Sequence, residues 1–134
     1  MSDPGGNQKI VEDYYAAIAV WDLNALLRTV SPNIVLHEAP SLPYGGVPRG
    51  HEGWKRLFEQ FQKLWSPASV IPLRMFAKGD EVVVIARFDC TARTPGVRVD
   101  LLIAELFPVQ DRQIIELRPF YFDNTAVIEA TRQN

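Results

Sequence analysis

A chain of 134 residues is enough for one domain around one core. Apolar residues at 47% and charged residues at 22% fit a globular protein, and a net charge of −2 supplies no field that would favour nucleic acid or an anionic membrane. The single cysteine, Cys90, excludes an intrachain disulfide and fits a core filler in a reducing compartment. The stretch Met1-Ser2-Asp3-Pro4-Gly5-Gly6 has no hydrophobic signal core, and no apolar run is long enough to span a membrane. A cytoplasmic protein without membrane or nucleic-acid partners is the expectation.

Residues 1–6 read as a loose tail and 131–134 as another, around a single domain over 7–130. From Asn7 to Val20, Ile10, Val11, Tyr14, Ala17 and Ile18 recur at helical spacing. Asp22 suits the N-cap of a second short helix carrying Leu23, Leu26 and Leu27, which Pro32 stops. Ile34, Leu36 and Glu38 alternate with Val35 and His37, the pattern of a strand. Residues Ala39 to Gly50 hold several prolines and glycines and so cannot be helix. Leu42, Tyr44 and Val47 make this loop too apolar for a simple solvent loop, and it is expected to line or cover a pocket. A long helix from about His51 to Trp65 carries the aromatic stripe Trp54, Leu57, Phe58, Phe61 and Leu64, and Ser66-Pro67 ends it.

Four consecutive strands follow: Val70–Ala77, Glu81–Arg93, Val97–Val109 and Ile114–Phe122. Turns at Lys78-Gly79-Asp80, Thr94-Pro95-Gly96 and near Asp111-Arg112 separate them, and connections this short favour an antiparallel meander. The class is therefore α+β, with three helices in the N-terminal half packed on one curved antiparallel sheet. Such a cone has an open end that side chains or a ligand must fill.

Tyr14 and Glu38 are the chemically suggestive pair. A phenol and a carboxylate facing one apolar cavity make a metal-free acid–base site, in which the carboxylate takes a proton from carbon and the phenol steadies the oxyanion. The bland alternatives are a core tyrosine bonded to a backbone carbonyl and a solvated carboxylate, or one paired with Arg49. Tyr15, one step round the helix, can stand in for Tyr14. His37 can assist as acid or base, although its alternation sends it opposite Glu38, toward the surface or a dimer contact. His51 reads as a helix-start residue. Of Arg98 and Asp100 only one is expected in the cavity. Asp100 is preferred because it shares a face with Leu102, Ala104 and Leu106, while Asp89 and Arg87 belong to a solvated or dimer-facing side. Trp54, Phe58, Phe61, Phe88, Phe107 and Tyr121 are core residues, some of which form cavity walls. No metal-binding spacing, phosphate-binding glycine loop, nucleophile elbow or Cys–His pair is present, so neither metal nor cofactor is expected.

Three segments carry a family resemblance: Glu12-Asp13-Tyr14-Tyr15-Ala16-Ala17-Ile18 with Asp22-Leu23-Asn24, Ile34-Val35-Leu36-His37-Glu38 up to Pro48-Arg49-Gly50, and Ile114 through Asp123. Together they resemble the nuclear transport factor two-like superfamily, and within it the SnoaL-like polyketide cyclases and ketosteroid isomerase relatives, over roughly residues 8–125. Set against the ketosteroid isomerase pattern, the family's oxyanion-hole tyrosine falls on Tyr14 and its general base on Glu38. The third family acid falls near Ala104, which has no proton to give. Glu105 beside it is expected to face the other side, which leaves the oxyanion hole incomplete. Arg112 stands where relatives often carry a turn glycine.

The resemblance implies a cofactor-independent enzyme acting on a small apolar carbonyl compound, polyketide- or terpene-like, by isomerisation, cyclisation or dehydration. The expected wall residues are Tyr15, Leu42, Tyr44, Trp54, Phe58, Phe61, Phe88, Leu102, Ala104 and Tyr121. A homodimer through the exposed sheet face is expected. The same fold also serves as a non-catalytic binding or dimerisation module and as an epoxide hydrolase. The last needs an arginine deep in the cavity, and Arg118-Pro119-Phe120 replaces the acidic segment of that branch.

Overall fold

The computed structural model describes residues 3–132. Its elements run α1 (Pro4–Ala19), α2 (Leu23–Thr29), β1 (Val30–Leu36), α3 (Gly50–Leu64), β2 (Trp65–Lys78), β3 (Glu81–Ala92), β4 (Arg98–Gln110), β5 (Gln113–Tyr121) and α4 (Asn124–Thr131). The first helix starts at Pro4, earlier than the hydrophobic spacing indicates. Asp3 caps it by accepting from Gly6 N, and proline at the first position costs no hydrogen bond. Asp22 caps α2 through Ala25 N, as its position predicts. A fourth helix, capped by Asp123, follows the last strand and was not foreseen.

The strands form one sheet in the order β1-β5-β4-β3-β2. Strands β2 to β5 are antiparallel neighbours, as their short turns require. The sheet is mixed, not purely antiparallel, because β1 lies parallel to β5. No short turn joins β1 to the rest. It is reached through the loop and α3, so hairpin geometry does not set its direction. Prolines Pro32, Pro67 and Pro72 fall on the edge strands β1 and β2, where a missing N–H is tolerated. The turn between β4 and β5 holds both Asp111 and Arg112 at positive φ, 51° and 62°, the conformation that glycine adopts freely.

The core lies between the helices and the concave face of the sheet. On β3 the even positions Val82, Val84, Ala86, Phe88, Cys90 and Ala92 are buried. Their partners on β4 include Phe107, Glu105, Ile103 and Val99, so the odd residues of β4 face the core. This register decides which charged side chains reach the interior.

Candidate functional site

Tyr14 and Tyr15 sit in the middle of α1, and both are buried. Tyr14 packs edge-on against Tyr15 and Phe107, with ring centroids 5.3 and 5.2 Å apart, and lies 6.0 Å from Trp54 of α3. Adjacent residues on a helix normally diverge by a wide angle. Here the concave sheet wraps around α1, so both phenols border the same cavity.

Glu38 follows β1 by two residues. Its backbone is locked to the proline- and glycine-rich loop by a pair of bonds: Glu38 N donates to Gly46 O at 2.9 Å, and Gly46 N to Glu38 O at 3.2 Å. That closure needs glycine at Gly45, where a Cβ would run into the Ala39 and Pro40 carbonyl oxygens. The loop thereby turns the Glu38 side chain inward. It is 8% exposed, and its Oε2 is buried without a hydrogen-bond partner.

A second carboxyl meets it. Glu105, on the core-facing side of β4, is 6% exposed and accepts a 2.7 Å hydrogen bond from the Tyr15 hydroxyl. Tyr14, Tyr15, Glu38 and Glu105 all border one cavity of about 60 Å³. A single water needs roughly 10–15 Å³, so the enclosed space is of the order of a few waters. The remaining wall is apolar and mostly aromatic, with Trp54, Phe58, Phe61 and Phe88 among its members. On one side Tyr121 adds a phenol whose oxygen lies 2.7 Å from that of Tyr44.

The electrostatics follow from burial. Withdrawal from water, with added repulsion from Glu105, pushes Glu38 up to about 8. Burial raises Glu105 to about 7, opposed by the Tyr15 hydrogen bond that favours its charged form. Two carboxyls in one dry cavity titrate as a pair, and the repulsion acts on both. Tyr14 is pushed well above the ordinary tyrosine range by burial and then by the two carboxylates, so it stays a proton-bearing donor. Among the described residues its hydroxyl makes no hydrogen bond, unlike those of Tyr15 and Tyr44.

The cavity brings together Tyr14, Tyr15, Glu38, Trp54, Phe58, Phe61, Phe88 and Tyr121 from the residues expected there. Tyr44 lies one layer behind the wall, bonded to Tyr121 and packed on Phe61, and Leu42 is buried in the core beside it. His37 is outside. Its Nε2 lies 2.7 Å from Glu116 on the neighbouring strand.

Asp100, Leu102 and Ala104 are corrections. They share the outer, convex face of the sheet, where Arg87 holds Asp100 by bonds of 2.8 and 2.6 Å. Arg98 and Asp100, two residues apart, lie on that same outer face, and Arg98 also bridges to Asp89. The assignment of β4 faces is therefore the reverse of the sequence expectation. Glu105, expected to point away, points in.

A usable signal did exist. Arg98 and Asp100 mark the wet side of β4, so Ile103, Glu105 and Phe107 had to be the dry side. Trp21, Ile103 and Leu117 were also missed as wall residues. Trp21 lines the cavity only because the backbone turns at φ 53° between the first two helices. Among the described residues no group of three or more histidine, cysteine or acidic side chains is placed to hold a metal ion, and no helix is long and apolar enough to cross a membrane.

A family model described as a SnoaL-like domain matches residues 11–117. Among solved structures, an NTF2-like protein from Burkholderia xenovorans superposes with a TM-score of 0.88 at 21% identity, over 98% of this chain and 100% of that one. TerC, co-crystallised with polyporic acid, gives a TM-score of 0.86 at 18% identity, covering 96% and 99%. A protein assigned as a SnoaL-like polyketide cyclase from a Jannaschia species gives 0.83 at 22%, covering 96% and 92%. These likenesses establish the fold. No curated protein sequence matches the chain significantly.

Proposed function

The chain belongs to the SnoaL-like domain family, and on that premise we propose that it is a cofactor-independent acid–base enzyme of the isomerase, cyclase or dehydratase type. Its substrate is a small, largely apolar carbonyl compound, such as a polyketide- or terpene-like metabolite. The observation that carries this reading is Glu38, a buried carboxyl with an unpartnered oxygen on an apolar cavity wall, its proton affinity raised to about 8. A carboxyl placed there only for stability would be neutral and bonded, or solvated. One left unpaired on an apolar cavity wall suits a base that takes a proton from carbon.

In this mechanism Glu38, once ionised, removes the acidic hydrogen next to the substrate carbonyl. Tyr14 donates its hydrogen bond to the oxygen on which negative charge develops. Burial raises the proton affinity of Glu38, and Glu105, held in place by Tyr15, adds to it through repulsion. Double-bond shift, ring closure or elimination can each follow from the same enolate. None of the residues lining the cavity is an arginine, which weighs against epoxide hydrolysis. The TerC structure, co-crystallised with polyporic acid, supports small-molecule binding as a use of this fold.

We place the expected homodimer on the convex face. Ile71, Leu102, Phe120 and Phe122 are exposed there, beside an Arg–Asp cluster of balanced charge.

The test is proton–deuterium exchange on apolar ketones and β-dicarbonyl compounds, with wild type, Glu38→Gln and Tyr14→Phe compared. Exchange that rises through about pH 8, is lost in Glu38→Gln and is reduced in Tyr14→Phe supports the proposal. A compound that binds all three proteins equally and never exchanges points to a binding module instead.

A further inference from the structure

We infer that the indole N–H of Trp54 is a second donor to the substrate oxygen, working beside the Tyr14 hydroxyl. The inference rests on the acid–base reading above and supplies the partner that Tyr14 lacks. Trp54 is 5% exposed and lines the cavity, and its Nε1 is buried with no hydrogen-bond partner. A buried N–H left unpaired is costly, and native interiors rarely keep one without a reason. Glu38 Oε2, on the wall of the same cavity, is the complementary orphan, an acceptor with nothing to accept. The two are not bonded to each other. One ligand satisfies both if it offers an acidic hydrogen to Glu38 and an oxygen to Trp54, which is the description of an enolisable carbonyl compound.

The neighbouring geometry agrees. The Tyr14 and Trp54 rings lie 6.0 Å apart at an interplanar angle of 53°, so the two side chains are neighbours on the cavity wall. Trp54 is also tied to the loop that sets Glu38. Its neighbour Gly53 lets α3 close on Pro48, where a Cβ would sit only 3.0 Å from the Pro48 carbonyl carbon. Pro48 in turn accepts from Leu36 N at 3.0 Å, two residues before Glu38. Donor and base are therefore positioned through the same stretch of backbone. Trp65 provides an internal contrast. Its Nε1 is also buried and unpartnered, but it does not line this cavity.

Two observables test this with 4-nitrophenol at pH 7, where it is partly ionised and resembles a planar enolate. The chain has three tryptophans, and their assigned indole ¹H–¹⁵N resonances are followed in the wild-type protein as the phenol is added. The Trp54 resonance should move downfield and saturate while that of Trp65 stays in place. Affinities by calorimetry should fall roughly tenfold or more in Trp54→Phe, the loss expected for one hydrogen bond to a charged oxygen, and also in Tyr14→Phe. If 4-nitrophenol binds and Tyr14→Phe weakens it, but the Trp54 resonance stays put and Trp54→Phe binds like wild type, the Trp54 inference is overturned and the Tyr14 reading stands alone. If the phenol fails to bind, or binds equally to all three proteins, the oxyanion site itself is refuted and Trp54 with it.

Discussion

At pH 9, Glu38→Gln should be more stable than the wild type, and at pH 5 the two should be nearly equal. The reason is the burial of an acid that would carry charge. Glu38 is raised from 4.5 to about 8 in the folded protein. That gap is about three and a half pH units, each worth about 1.4 kcal/mol, so ionising Glu38 in place costs on the order of 5 kcal/mol. The sign follows from proton counting. Between the unfolded and folded values the native state binds more protons than the unfolded one, so stability falls as pH rises. The contribution is complete below 4.5 and lost by the time the pH passes about 8. Glutamine resembles the neutral acid in shape and cannot ionise, so the variant escapes that loss. For a domain of this size roughly 3–5 °C in Tm corresponds to 1 kcal/mol, so the wild type should melt more than about 10 °C lower at pH 9 than at pH 5. Glu105, raised to about 7, adds to the same slope. Urea and thermal unfolding at pH 5, 7 and 9 measure it for wild type, Glu38→Gln and the double variant with Glu105→Gln. Wild-type stability that is flat or rising from pH 5 to 9 refutes the reasoning. So does a slope that survives unchanged in the double variant.

Asp100→Asn should leave the urea unfolding midpoint close to that of the wild type and 4-nitrophenol affinity unchanged, because its ion pair with Arg87 lies on the convex face near water; a tenfold loss of affinity would return Asp100 to the cavity. Gly45→Ala should destabilise by roughly 2 kcal/mol or more in urea unfolding, since the added methyl meets backbone carbonyls that cannot move aside cheaply; wild-type stability would show that the loop is free to relax. If the proposed dimer forms through the convex face, the wild type should scatter light as a dimer and Phe122→Asp, at a side chain 78% exposed, as a monomer with an unchanged circular dichroism spectrum. A dimer that persists there would move the interface elsewhere.

Much of this architecture is written in local pattern. The period-two burial of β3, from Val82 to Ala92, is visible as alternation. The turns at Gly79-Asp80 and Thr94-Pro95-Gly96 fall where their residues demand them, so four strands and their antiparallel order follow. Tyr14 on an apolar helix face and Glu38 after an alternating strand were suggestive as residues, and it was the resemblance to the ketosteroid isomerase pattern that singled them out as a pair.

Tertiary structure decided what local pattern leaves open. β4 carries apolar residues on both sides, with Leu101 beside Leu102 and Leu106 beside Phe107, so its alternation is blurred. The charges Arg98 and Asp100 hint at the wet side, and the register against β3 is what holds Glu105 inward and Asp100 outward; a shift of one residue would exchange them. The same holds for β1, whose parallel partner β5 lies some eighty residues away. Local spacing reveals which residues can share a face. Which face becomes the dry one is fixed by pairing between segments distant in the chain, because burial is a property of the packed sheet and not of the strand.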